Sequence, residues 1–265
     1  MISRVNDASA RELLIERLGA QGDGVASGPV FASGVLPGER VRASVAGDRA
    51  EAVEILAASA DRISPPCPHF GDCGGCALQH WAPGPYLAWK AEQIRLALGR
   101  ERLETEILAP YAAPPGSRRR LALHARQGRG GAEIGFKARR SWRLVPIEVC
   151  PVSDPRLVAA FPALRRLAAP LFEQRKSAPT LHVTLTGTGL DIDITGVERR
   201  IGALSADARA RVAASAAAAN LARVTLDGEI LFQDRVPMIQ VGVAHVALRA
   251  EALDQKFTRR SVVHT

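Results

Sequence analysis

Cys67-Pro68-His69-Phe70-Gly71-Asp72-Cys73-Gly74-Gly75-Cys76-Ala77-Leu78-Gln79-His80 interrupts a chain that otherwise reads as short strands and a few helices. Three of the chain's four cysteines stand here as C-x5-C-x2-C, and the fourth is Cys150. Cys73-Gly74-Gly75-Cys76 sets two thiolates in a tight chelating loop, because glycines let the backbone wrap closely around a metal. Four thiolates suit a structural zinc or a cubic iron–sulfur cluster, and buried thiols are the third option. Zinc sites more often come as two close pairs, so the three-plus-one spacing leans toward a cluster. His69 and His80 flank the loop and are read as hydrogen-bonded partners that fix it, since four thiolates already complete a site.

Upstream of the loop, residues 11–58 form apolar runs cut by glycine. Leu13-Leu14-Ile15 leads into Gly19, Gly22 and Gly24; Val30-Phe31 follows Gly28-Pro29; Val41, Ala43 and Val45 alternate with Arg40, Arg42 and Ser44 after Pro37-Gly38. Such spacing predicts a small barrel or a three-stranded sheet. Downstream, Pro85 to Leu98 reads as a helix with Leu87, Ala91, Ile94 and Leu98 on one face and Gly99 as its stop. Hairpins then dominate. Leu121, Leu123 and Ala125 turn at Gly128–Gly131 into Ile134 and Phe136; Leu181, Val183 and Leu185 turn at 187–189 into Ile192 and Ile194; Val224-Thr225-Leu226 turns at Asp227-Gly228 into Ile230-Leu231-Phe232. Helices are expected from Asp154-Pro155 and from Ser205 to about Asn220. Hairpins with intervening helices predict an antiparallel α+β domain.

The net charge is +8, and its distribution is uneven. Residues 1–60 sum to −2, 61–150 to +6 and 151–265 to +4. Nine basic residues between Arg118 and Arg143 face one acid, Glu133. A polyanionic partner fits this stretch. Trp81 and Trp142 are read as core residues, with base stacking as their alternative role. The start of the chain lacks a signal-peptide core and no segment has bilayer-spanning length, so a cytoplasmic protein without a membrane partner is expected.

The cysteine loop resembles that of the RNA (uracil-5-)methyltransferases, the family that makes 5-methyluridine in ribosomal or transfer RNA. The match continues through Arg118-Arg119-Arg120-Leu121, Ile134-Gly135-Phe136-Lys137 and Val149-Cys150-Pro151-Val152. Before the loop, Ile15-Glu16, Gly22-Asp23-Gly24-Val25-Ala26 and Pro37-Gly38-Glu39 look like that family's TRAM domain, a small RNA-binding β-barrel. The resemblance implies a TRAM-like barrel at 1–60, a central α+β domain at 61–248 and a divergent tail at 249–265. It implies a 4Fe–4S cluster on Cys67, Cys73, Cys76 and Cys150. Structured RNA, ribosomal or transfer, is the implied partner, contacted by Arg118, Arg119, Arg120, Arg126, Arg129, Lys137, Arg139 and Arg140.

Methyl transfer in this family requires a thiolate that adds to C6 of uracil, S-adenosylmethionine on a glycine-rich strand-to-helix turn, and a base for the C5 proton. Beyond the cluster set this sequence has no further cysteine, and its Gly22-Asp23-Gly24 and Gly187-Thr188-Gly189 lie in β-patterned turns. The expectation is therefore a Rossmann-like catalytic domain that is absent and a chain that is inactive alone. S-adenosylmethionine would not be bound, and a truncated frame, a separate catalytic-domain polypeptide or a non-catalytic RNA-binding iron–sulfur protein would explain the rest. Gln255 alone matches a cofactor-contacting glutamine of the family.

Overall fold

A computed structural model of the chain describes residues 10–174, 176–198, 204–241 and 243–248. The chain divides into two compact units, one of residues up to 71 with 76–112, the other of 72–75 with 113 onward.

In the first unit, β1 (Ala10–Leu18), β2 (Gly24–Ala26), β3 (Val30–Ala32), β4 (Arg40–Ala46) and β5 (Arg49–Ala57) close into a barrel in the order β1-β2-β3-β5-β4. Closure relies on one parallel pair, β3 with β5, and on a bulge in β1 between Ile15 and Arg17. A bulge adds twist, which a five-stranded barrel needs to bring its edges together. Ile15, Ala26, Val30, Ala32, Val35 and Val41 fill the interior. Gly24 is required there, because a Cβ would overlap the side chains of Val35 and Ile15. Glu39 is wholly buried, and its carboxylate accepts from the backbone N–H of Leu36 (2.8 Å) and Ser59 (3.2 Å) and from Arg62 Nε (2.6 Å). Burial pushes the Glu39 carboxyl up, but these hydrogen bonds outweigh it and hold it below its ordinary value.

A second cluster in this unit gathers Leu18, Leu36, Leu78 and Trp81, with Tyr86 and Trp89 packed against it. These last two lie on α1 (Pro83–Arg100), which begins with proline in its first turn. Gly99 falls inside the helix rather than ending it. No residue of α1 is fully buried, and Ile94 and Leu96 are about half exposed.

The second unit is a seven-stranded sheet ordered β12-β11-β10-β9-β6-β7-β8. Its strands are β6 (Arg120–Gly128), β7 (Gly131–Lys137), β8 (Leu144–Pro146), β9 (Thr180–Thr186), β10 (Gly189–Thr195), β11 (Arg223–Leu226) and β12 (Glu229–Gln233). Helices α2 (Pro155–Ala159), α3 (Phe161–Ala168) and α4 (Ala206–Ala218) accompany it. Asp154 caps α2 by accepting from Arg156 N–H, and Ser205 caps α4 by accepting from Ala208 N–H. Leu121, Leu123, Leu181, Val183, Ile192, Ile194 and Val224 meet Phe161, Leu164, Leu167 and Val212 in one core. Asp227 and Gly228 both take positive φ, the pair of values a type I′ hairpin turn needs.

The expectation of an antiparallel α+β domain needs correction. β10 pairs parallel with β11, Ile192 opposite Val224. The reason is α4, which carries the chain back across the sheet before β11 begins, a crossover that makes the strands parallel. A small hairpin, β13 (Met238–Val241) with β14 (Ala244–Ala247), follows.

Candidate RNA interface and cysteine loop

The sheet's second face is polar because β6 alternates. Leu121, Leu123 and Ala125 point to the core, so Arg120, His124 and Arg126 point away from it. His124 Nδ1 lies 2.9 Å from Thr180 Oγ1 on β9, and His182 Nε2 lies 3.2 Å from Thr195 Oγ1 on β10. Burial, reinforced by the charges of Lys137 and His182, pushes the His124 imidazole below its ordinary pKa. Farther across, Asp191 and Arg223 form a buried two-bonded ion pair at 2.8 and 2.9 Å. Asp193 accepts from Thr225 Oγ1 at 2.5 Å and from Gly228 N–H at 3.2 Å, while burial pushes its carboxyl up.

Among the arginines singled out in sequence, Arg118, Arg119, Arg120, Arg129 and Arg140 are exposed, while Lys137 and Arg139 are half-buried. Arg126 differs, since Glu133 Oε2 sits 2.6 Å from its guanidinium and neutralises it. Arg118 and Arg120 have no ion pair among the described residues, so their charge is available to an anion. Trp81 is in the core, but Trp142 is not. It is 86% exposed, because it belongs to the turn after β7, outside the core of its own unit. Lys137 Nζ lies 3.7 Å from the Trp142 ring centroid.

The cysteines fall in both units, Cys67 and Cys76 in the first, Cys73 and Cys150 in the second. All four are thiols of intermediate burial. Cys73 bridges to Ala138, and Gly74 N–H donates to Lys137 O at 2.9 Å, fixing residues 72–75 on the end of β7. Cys73 Sγ accepts from Gly75 N–H at 3.4 Å, and Cys150 Sγ accepts from the buried Ser153 hydroxyl at 3.1 Å. Among the described residues no three Cys, His, Asp or Glu side chains gather as a metal site. The hydrogen-bonded role expected for His80 is not observed. The ring is buried and tilted against Phe70 at 5.2 Å between centroids, and neither nitrogen makes a well-formed hydrogen bond among the described residues. Gln255 and the whole tail from 249 lie outside the described residues. Among the described residues no helix is long and apolar enough to cross a membrane.

No family model matches the chain. It is 63% identical over 244 residues to an uncharacterized RNA methyltransferase of Caulobacter vibrioides, covering 90% of this chain and 59% of that protein. It is 41% identical over 179 residues to the 23S rRNA (uracil(1939)-C(5))-methyltransferase of Halomonas elongata, covering 63% of this chain and 36% of that protein. Its fold matches the tRNA (uracil-54, C5)-methyltransferase of Pyrococcus abyssi, solved in complex with S-adenosyl-L-homocysteine, at a TM-score of 0.57 and 16% identity, covering 91% of this chain and 60% of that one. The chain thus spans about three fifths of the first of these relatives. Together the likenesses support a relationship with the RNA (uracil-5-)methyltransferases.

These findings overturn the fold class in which the catalytic domain is absent and the reading of a part truncated before catalysis. Nine tenths of the chain aligns with an RNA methyltransferase, and an S-adenosyl-L-homocysteine-bound methyltransferase shares its fold. A sequence that spans three fifths of its relative's length carries no information on what lies beyond its last residue. The expectations of inactivity, of a chain that leaves S-adenosylmethionine unbound and of a separate catalytic polypeptide gain no support from these likenesses.

Proposed function

We propose that this chain belongs to an S-adenosylmethionine-dependent RNA (uracil-5-)methyltransferase acting on large-subunit ribosomal RNA. The observation that carries this is the 63% identity to an RNA methyltransferase over 90% of the chain. Ribosomal rather than transfer RNA is favoured because identity to the Halomonas ribosomal enzyme is 41%, against 16% to the transfer-RNA enzyme that shares the fold. In the reaction, S-adenosylmethionine supplies the methyl group that C5 of uracil receives. The described residues hold the RNA: Arg118, Arg119, Arg120, Arg129, Lys137, Arg139 and Arg140 contact phosphates, with a smaller share from the neutralised Arg126. Residues 1–60 act as the TRAM-like RNA-binding barrel. Gln255 is carried as a cofactor contact on the resemblance alone.

Cys67, Cys73, Cys76 and Cys150 are the proposed ligands of a 4Fe–4S cluster, supported by the C-x5-C-x2-C spacing and by the hydrogen bonds that reach the sulfurs of Cys73 and Cys150. Anaerobically prepared protein should contain about four irons and as many labile sulfides per chain; a colourless protein with one zinc would refute the cluster. For the methyltransferase reading, the gene should be disrupted and 5-methyluridine mapped across 23S ribosomal and transfer RNA. Loss of one 5-methyluridine from 23S RNA is expected. An unchanged map in both RNAs would refute the reading.

A further inference from the structure

We propose that Trp142, braced by Lys137, is a stacking platform for one unpaired base of the bound RNA. The inference rests on the RNA reading above and names which part of the RNA is recognised. A tryptophan contributes to a fold by burying its large ring, and one that is 86% exposed contributes almost none of that. The other tryptophans behave differently, Trp81 lying inside the first unit's core and Trp89 packed against it.

The turn that presents Trp142 is closed by several hydrogen bonds. Ala138 N–H donates to Arg143 O at 2.8 Å, Ser141 N–H to Ala138 O at 3.1 Å, and Arg143 N–H to Ser141 Oγ at 3.1 Å. Arg140 takes a left-handed φ of 52°, and Arg143 is paired with Asp72 at 2.6 Å. The ring is thus carried outward by a defined turn. Lys137 Nζ, 3.7 Å from its centroid, occupies one face and steers the ring by a cation–π contact.

What remains exposed is a flat π-surface on a turn that also carries the guanidinium groups of Arg139, Arg140 and Arg143, the last paired with Asp72. An aromatic plane among guanidinium groups matches a nucleotide, whose base stacks while its phosphate meets the cations. Bases in an A-form duplex are already stacked on each other, so the ring can accept only one that is splayed from a loop, bulge or end. A protein partner would instead meet this patch through acidic side chains, and nothing on the chain favours that over the polyanion for which the neighbouring arginines are arranged.

The experiment measures binding of the full chain to an RNA hairpin with a single-stranded loop and to a fully paired duplex of equal charge, at several salt concentrations. Trp142→Ala should weaken binding to the looped RNA on the order of 10-fold and leave the duplex unchanged. The salt slope should not move, because no phosphate contact is lost. Trp142→Phe should retain most of the loop preference. Quenching of tryptophan emission by oligouridine should vanish in Trp142→Phe, since the other tryptophans are in or against the core. Wild-type affinity of Trp142→Ala for the looped RNA, or equal losses on both RNAs, would overturn the proposal while leaving the RNA reading in place. Failure of the unaltered chain to bind either RNA would overturn both.

Discussion

Replacing Gly74 by alanine tests how the cysteine loop is seated, and its neighbour supplies the control. A Cβ on Gly74 would stand 2.7 Å from Lys137 O, 2.9 Å from Arg139 N and 3.0 Å from the Ala138 carbonyl carbon. All three are backbone atoms at the end of β7, so no side chain can rotate away. Reaching ordinary contact would require the loop to lift by about 0.7 Å at the tightest point. That lift strains the 2.9 Å bond from Gly74 N–H to Lys137 O and the bridge between Cys73 and Ala138. Overpacking of this kind costs about 1–3 kcal/mol and a lost hydrogen bond about 1 kcal/mol, so Gly74→Ala should destabilise the second unit by about 2–4 kcal/mol. A Cβ on Gly75, by contrast, would meet Cys73 Sγ at 3.5 Å and Phe136 at 3.9 Å, both ordinary contacts. Gly75→Ala should change stability by less than about 1 kcal/mol. Urea unfolding followed by circular dichroism measures both, and anaerobic iron and sulfide content shows whether the substitution disturbs the proposed role of Cys73 as a ligand. Equal effects of the two substitutions, or a neutral Gly74→Ala, would show that the loop is not held by this contact.

Other substitutions probe the remaining claims. Arg223→Ala strands Asp191, 0% exposed, without its partner and should cost about 3–5 kcal/mol, whereas Asp191→Leu with Arg223→Met should cost much less; comparable losses in both would refute the pairing. Burial, with Arg62 nearby, pushes the His80 imidazole down to about 4, so the folded state resists its protonation. Stability from this residue is therefore full above its ordinary value of 6.5 and falls as pH drops from there toward 4; His80→Phe should flatten that part of the stability–pH curve. Arg120→Gln should reduce the slope of log affinity for RNA against log salt by about 0.7, and Arg126→Gln by clearly less, because Glu133 already neutralises Arg126. Equal slope changes would place the RNA elsewhere.

Local chemistry made much of this molecule readable from its residues. Ser205 and Asp154 marked helix starts because each side chain satisfies an N–H that the helix leaves unpaired. Asp227-Gly228 marked a hairpin because both positions must tolerate positive φ. What local signals could not supply was pairing across distance. The parallel register of β10 with β11 depends on where α4 delivers the chain, and β-pattern strands look alike whichever neighbour they take. The helix expected at Asp154 breaks at Ala160 into α2 and α3, which neither Pro162 nor the apolar spacing revealed.

Trp142 shows the same limit acting at the site. Tryptophan is expected inside because its apolar area is large, and composition offers no reason to place one outside. The signal that separates Trp142 from Trp81 lies in the neighbours. Trp81 is followed by Tyr86 and Trp89, one turn apart on α1, a set that packs on itself. Trp142 stands between Arg139-Arg140-Ser141 and Arg143, and residues so strongly hydrated cannot follow it into a core. An apolar ring flanked on both sides by charges that must stay wet is itself forced to the surface. The Cys73-Gly74-Gly75-Cys76 loop repeats the lesson in reverse. Two adjacent glycines suggested a general need for a pliable chelating turn, yet only Gly74 is pressed against backbone, and the requirement comes from Lys137 to Arg139, more than sixty residues away in the sequence.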